Sequence, residues 1–215
     1  AGEKFLTEHH LWGPRDYYKS DFYRSALCHF ASEIGYHGCP SPESVRRFIS
    51  PAHLWPPHEN PEWDLHSTNP IPETVVFFPP FQRVELMLNQ VKYVFGTVPE
   101  TLEKFALASQ ITQAEAFKTF IEWFRAGKWR RTGIIWWNLL DGWPQFSDAI
   151  VDYYFDRKLA YTFVQRSQRA VALIIRELSP ESLELVAAND TLKDIPVSYR
   201  VSDVTNDIRV FEGEV

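Results

Sequence analysis

Cysteine is scarce in this sequence: Cys28 and Cys39 are the two present among 215 residues. Two thiols cannot build a disulfide framework. No Cys or His pair has zinc-ligand spacing either, so both read as buried free cysteines. A basic run is also missing, and the formal net charge is −6, which argues against nucleic acid as a partner. No apolar stretch is long enough to span a bilayer. The opening residues, Ala1-Gly2-Glu3-Lys4, lack the basic-then-apolar order of a secretion signal. There is no Gly-x-Ser-x-Gly elbow, which excludes a serine hydrolase of that type.

Aromatic residues, by contrast, are plentiful: eight Trp, nine Tyr and sixteen Phe in a chain that is 45% hydrophobic and 23% charged. That balance is ordinary for a globular protein that buries a real core. Tryptophans serve cores, and they also serve carbohydrate clefts, where flat rings stack on sugar faces. One carboxylate stands out against this background. Leu27-Cys28-His29-Phe30-Ala31-Ser32-Glu33-Ile34-Gly35-Tyr36-His37-Gly38 reads as a buried strand running into a glycine-flexed loop. An unpaired ionisable group is costly to bury, so Glu33 among Phe, Ala, Ile and Tyr points either to water at a strand edge or to chemistry.

Along the chain, residues 4 to 12 read as a strand ending at His10 to Trp12, broken by Gly13-Pro14. Ser20 or Asp21 can cap a short helix or turn over 22 to 26. After the Glu33 strand, Pro40-Ser41-Pro42-Glu43 announces a short helix over 45 to 49. Residues 50 to 80 carry eight prolines with Trp55 and Trp63 among them. They predict a long ordered loop, which either lids a site or packs its own tryptophans. Helical periodicity follows from Phe81 to Phe95, closed by Gly96, and again from Pro99 through Phe124, closed by Gly127. Residues 133 to 140 are an unbroken apolar strand, the pattern of a parallel sheet covered on both faces, and residues 156 to 167 a further helix. From Gln168 the texture changes to short strands over 170 to 178, 183 to 188 and 195 to 204. The domain boundary therefore falls there, dividing residues 1–167 from 168–215.

The order is α/β followed by all-β. Three successive strand ends carry His10 and Trp12, then Glu33 and His37, then Trp137, Asp141 and Trp143. In a (β/α) barrel, such ends converge on one catalytic face. A metal site built from His9, His10, His37 and Cys39 is disfavoured, because adjacent strand residues point to opposite faces.

Four stretches extend this reading. Ala31-Ser32-Glu33-Ile34-Gly35-Tyr36 is similar to a nucleophile-bearing Ser-Glu-x-Gly segment. Ser109-Gln110 with Gln113-Ala114-Glu115 matches a characteristic helix. Trp137-Asn138-Leu139-Leu140-Asp141-Gly142-Trp143-Pro144 resembles a final barrel strand and its Trp-Pro loop. Val151-Asp152-Tyr153-Tyr154 through Lys158-Leu159-Ala160-Tyr161 resembles the helix that follows. Together they resemble glycoside hydrolase family 2, most closely its β-mannosidase branch. The resemblance implies the C-terminal part of a (β/α)8 TIM barrel followed by the start of an immunoglobulin-like β-sandwich, an incomplete fragment of both. It further implies a retaining hydrolase of terminal β-linked sugars with no metal or cofactor. Glu33 would be the nucleophile, with His10 and His37 as hydrogen-bond donors to it. Trp12 would contribute to the substrate site, Trp137 would be a platform under the sugar, and Asp141 and Trp143 would shape the pocket. The family's acid/base glutamate lies in an Asn-Glu pair. Here the nearest match is Glu59-Asn60, in the reverse order and in the proline-rich loop. The expected partners are therefore a carbohydrate and the missing N-terminal barrel strands. Alone, the chain is expected to be inactive as a hydrolase. Departures at Asn138, Leu140 and Asp148 leave glucosaminidase, galactosidase and glucuronidase relatives open, and a non-catalytic carbohydrate-binding module is the rival class.

Overall fold

The computed structural model describes residues 5–68, 83–179 and 182–215. Three parallel strands form its central sheet, in the order β1 (Leu6–His10), β2 (Cys28–Gly35), β3 (Gly133–Trp137). Parallel neighbours need crossovers, and the chain supplies them as helices. Between β1 and β2 lies α1 (Asp21–Arg24). Between β2 and β3 lie α2 (Pro42–Val45), α3 (Pro61–Leu65), α4 (Arg83–Phe95) and α5 (Leu102–Ala126). After β3 comes α6 (Leu159–Ser167).

The long helix α5 organises the packing. Thr101 caps its start by accepting from the Lys104 amide, and Gly127 ends it. Phe105, Phe117, Phe120, Ile121 and Phe124 recur at helical spacing and are all buried. Each such side chain contributes roughly 1.5–3 kcal/mol by leaving water. One core joins α5 and α6 to the sheet through Cys28, Ala31, Ile34, Tyr36 and Ile150. A second core sits under the opposite half of α5 and takes in Trp63, Val84, Met87, Val91 and Phe146. Gly96 closes α4 with a φ of +79°, a conformation that suits glycine at a helix exit.

Polar residues of α5 hold the loop that follows β2. The Ser109 hydroxyl accepts from the Cys39 amide at 3.0 Å, and Gln110 donates to the Cys39 carbonyl at 3.1 Å. Gln113 donates to the carbonyls of Tyr36 and Asp148, each at 3.0 Å. The Ser109-Gln110-Gln113 pattern therefore has a mechanical role here: it pins the segment just beyond Glu33 to a rigid helix.

Three expectations change. The strand at 133 to 137 is covered on one face only. Ile134 and Trp136 pack toward α5, while Ile135 and Trp137 are 51% and 43% exposed on the other face. The short helix predicted over 45 to 49 forms earlier, at α2, where Ser41 caps it and Pro42 occupies its first turn. The described part of the proline-rich stretch is not an irregular lid. It holds a 3₁₀ turn, Pro51–His53, and α3. Trp63 is buried and stacks on Phe146 at 4.1 Å, so this stretch packs into the second core. Pro70, Pro72, Pro79, Pro80 and Phe81 lie outside the described residues, as does Lys4.

Beyond α6 the chain forms two antiparallel hairpins, β4 (Val171–Ser179) with β5 (Ser182–Asn189), and β6 (Ser198–Asp203) with β7 (Ile208–Glu214). Among the described residues each hairpin pairs only with itself. The third expected strand begins at Ser198 rather than Ile195, and β7 was not foreseen. Asp190, just past β5, accepts from Arg125 at 2.6 Å and pairs with Lys128, fastening the first hairpin to the end of α5.

Candidate active site

Glu33 lies near the C-terminal end of β2, and a bulge decides where it points. Along β2 the buried side chains Cys28, Ala31 and Ile34 fall three apart instead of two, and Gly35 is buried beside the last of them. The register with β3 shifts between Ala31 and Ile34, and the register with β1 shifts between His9 and His10. An extra residue of this kind re-aims side chains, a device common beside active sites. Ser32 and Glu33 are both left half-buried while Ala31 and Ile34 face the core.

Trp12, two residues past the end of β1, reaches Glu33. Its indole Nε1 donates to Glu33 Oε2 at 2.8 Å. The His10 Nδ1 lies 3.6 Å from the same oxygen, and its Nε2 lies 3.6 Å from Glu8 Oε1. Ser32 in turn donates to Glu8. An indole N–H can only donate, so Glu33 Oε2 is an acceptor here. The sequence did not single out Glu8 or Ser32. Glu8 sits two residues before His10 on the same strand face, which is the signal that could have found it.

Trp137 joins this group from β3, where it pairs with Gly35. The approach at Gly35 is close enough to require glycine. A Cβ there would stand 2.6 Å from the Trp137 carbonyl oxygen and 2.8 Å from Trp12 Cη2. Gly35→Ala is therefore expected to push Trp12 away from Glu33 and to cost about 1–3 kcal/mol of stability. Urea denaturation and tryptophan emission report the two effects. An unchanged midpoint and spectrum would show that the approach is not tight.

His37 is corrected by the structure. Its ring is completely buried, not turned to Glu33. Its Nδ1 lies 2.9 Å from Arg15 Nη2 and 3.2 Å from Asp148 Oδ1, and Arg15 and Asp148 form a buried ion pair. Burial pushes the imidazole below its ordinary 6.5, against the pull of Asp148. Burial also pushes the Asp148 carboxyl up. The Arg15 charge and the His37 contact outweigh it and hold the group well below the usual carboxylate range. Asp148 thus belongs to the core and does not border an open pocket.

Asp141 is turned inward as well. Its carboxylate is buried, and Oδ1 accepts from Gln145 at 2.7 Å and from Ser147 at 2.6 Å. Lys158 Nζ lies 4.0 Å from Oδ2 and donates to the Gly38 carbonyl at 2.7 Å. Burial raises the Asp141 pKa against the pull of Lys158. The residue holds the loop after β3 from within. Trp143 is partly exposed on that loop and stacks on His66 at 5.2 Å.

Among the described residues, no group of three or more His, Cys, Asp or Glu is arranged to hold a metal ion, and no helix is long and apolar enough to cross a membrane. His9 packs beside Phe22 while His10 faces the open side of the sheet. Burial pushes the Cys39 thiol up to about 12.

Glu33 thus sits near the end of a parallel strand, held by an indole N–H, with Trp137 on the neighbouring strand. No family model matches the chain. It is 26% identical over 166 residues to β-mannosidase A of Aspergillus terreus (strain NIH 2624 / FGSC A1156), covering 69% of this chain and 18% of that protein. It is 32% identical over 119 residues to β-mannosidase B of Thermothelomyces thermophilus, covering 46% of this chain and 14% of that one. The crystal structure of β-D-mannosidase from Dictyoglomus thermophilum superposes with a TM-score of 0.77 and 26% identity, covering 97% of this chain and 25% of the other. Over the part that it spans, the chain is similar to β-mannosidases in both sequence and fold. That part is less than a fifth of the two relatives' length.

Proposed function

We propose that this chain is the nucleophile-bearing segment of a retaining, exo-acting β-glycosidase, most similar to β-mannosidases. The observation that carries the reading is the 2.8 Å hydrogen bond from Trp12 to Glu33 Oε2 at the end of β2, with Trp137 alongside on β3. The three-stranded sheet is, on this reading, the C-terminal part of a (β/α)8 barrel. The two hairpins begin an immunoglobulin-like sandwich after a boundary near residue 168. The exposed Ile135 and Trp137 then face the barrel interior, completed by strands outside this chain.

The chemistry needs two carboxylates. Trp12 and His10 both approach Glu33 Oε2, which leaves Oε1 as the attacking atom. A bond forms from Oε1 to the anomeric carbon as the bond to the leaving oxygen breaks. A second carboxylate, outside this chain, protonates that oxygen. Water activated by the same carboxylate then releases the sugar from Glu33. With one of its two carboxylates elsewhere, the chain by itself is expected to show no turnover.

The test uses the longer polypeptide and activated 2-deoxy-2-fluoro sugars of manno, gluco and galacto configuration, with peptide mapping by mass spectrometry. Label on Glu33 from the manno reagent is the expected result. Label on Glu33 from another sugar keeps the mechanism and changes the specificity. Tight sugar binding with no label on Glu33 would overturn the assignment and favour a binding module.

A further inference from the structure

Arg15 is not part of any sequence pattern noted above, yet four parts of the fold meet on it. Its backbone carbonyl accepts from Gln90 of α4 at 2.8 Å, and its φ is +66°. Its guanidinium is gripped by His37 from the loop after β2 and by Asp148 from the segment before α6. The guanidinium carbon lies 4.6 Å from the centroid of the Trp12 ring. The far edge of that ring rests against Gly35, and its Nε1 meets Glu33.

We infer that Arg15 is a positioning residue for the Glu33 site, acting through Trp12. Asp148 and His37 fix the guanidinium plane, the plane supports one face of the indole, and the indole aims its single N–H at Oε2. Arginine suits this place because its planar fork stacks on a ring while bonding in its plane, which a lysine ammonium cannot do. The inference rests on Glu33 being the nucleophile.

The experiment is a double-mutant cycle on the longer polypeptide, read as the limiting rate of covalent labelling of Glu33 by the 2-deoxy-2-fluoro sugar. Trp12→Phe keeps a ring for Arg15 to stack on but removes the N–H. Arg15→Lys is expected to slow labelling about 10-fold in the parent background and less than about 2-fold in the Trp12→Phe background, since residues in one network do not add. The loss should fall on the limiting rate and not on the reagent concentration that saturates it. Should Arg15→Lys fail to fold, His37→Asn serves in its place, because it loosens the guanidinium but leaves the Asp148 ion pair. Equal slowing in both backgrounds, or labelling of the variant at the parent rate, overturns the inference while Glu33 stands. No label on Glu33 in the parent removes the underlying reading, and the inference with it.

Discussion

Glu33→Ala in the longer polypeptide is expected to lower turnover of an activated β-mannoside by at least about 10⁴-fold, as removal of a covalent nucleophile does. The fold should be nearly untouched. The Glu33 side chain is 31% exposed and touches Trp12 and His10 at the open face, not the core. Truncating it therefore creates no core cavity, and the stability change should stay within about 0.5 kcal/mol. Loss of activity without loss of stability is what separates a nucleophile from a structural glutamate.

The same variant allows a stricter check. Azide fits the space vacated by the carboxylate and can attack the anomeric carbon from that side. The new carbon–nitrogen bond forms as the bond to the leaving group breaks, so the product is the α-glycosyl azide with inverted configuration. Recovery of activity with azide, and that product by NMR, identify Glu33 as the group that attacked from the α face. Retained activity without azide, or a β-configured azide, would give the attack to another group.

The parts of the candidate site that were legible in the sequence are those governed by local pattern. Glu33 stood out because a lone carboxylate among apolar residues needs a reason, and Trp12 and Trp137 because both fall at strand ends. The three parallel strands and α5 followed from apolar runs and helical spacing. What was not legible depends on distant partners. Arg15 and Asp148 lie 133 residues apart, and nothing local marks them as an ion pair. Nearness in sequence points His37 to Glu33, whereas its ring meets that distant pair. The β2 bulge is equally silent, since it arises from register with both neighbours. Trp63 looked like part of a loop because proline dominates its surroundings, but its ring is large enough to anchor that segment on Phe146. The strand β7 escaped because nearly all its residues are exposed, so neither of its faces was marked as buried.

Asp148→Asn should be among the most destabilising single changes in this protein. The Arg15 and Asp148 side chains are 7% and 5% exposed. Asparagine keeps the shape but removes the charge, and a buried guanidinium left without its counter-charge costs about 3–5 kcal/mol. Replacing both partners by apolar residues, Arg15→Met with Asp148→Leu, is expected to cost well under the sum of the single variants, because no charge is then stranded. The network also sets the response to acid. His37 titrates in the fold below its ordinary 6.5, so beneath that pH the unfolded chain binds a proton that the folded chain does not. Stability then falls as pH drops, by up to about 1.4 kcal/mol per pH unit. Asp148, held below its ordinary 3.8, contributes stability that is present above that value and lost as pH falls further. Urea denaturation at pH 7.5 and pH 5 should therefore show a loss in the parent that His37→Gln flattens. A loss unaffected by that substitution would place the acid sensitivity elsewhere, and an Asp148→Asn cost under about 1 kcal/mol would mean that water reaches Arg15.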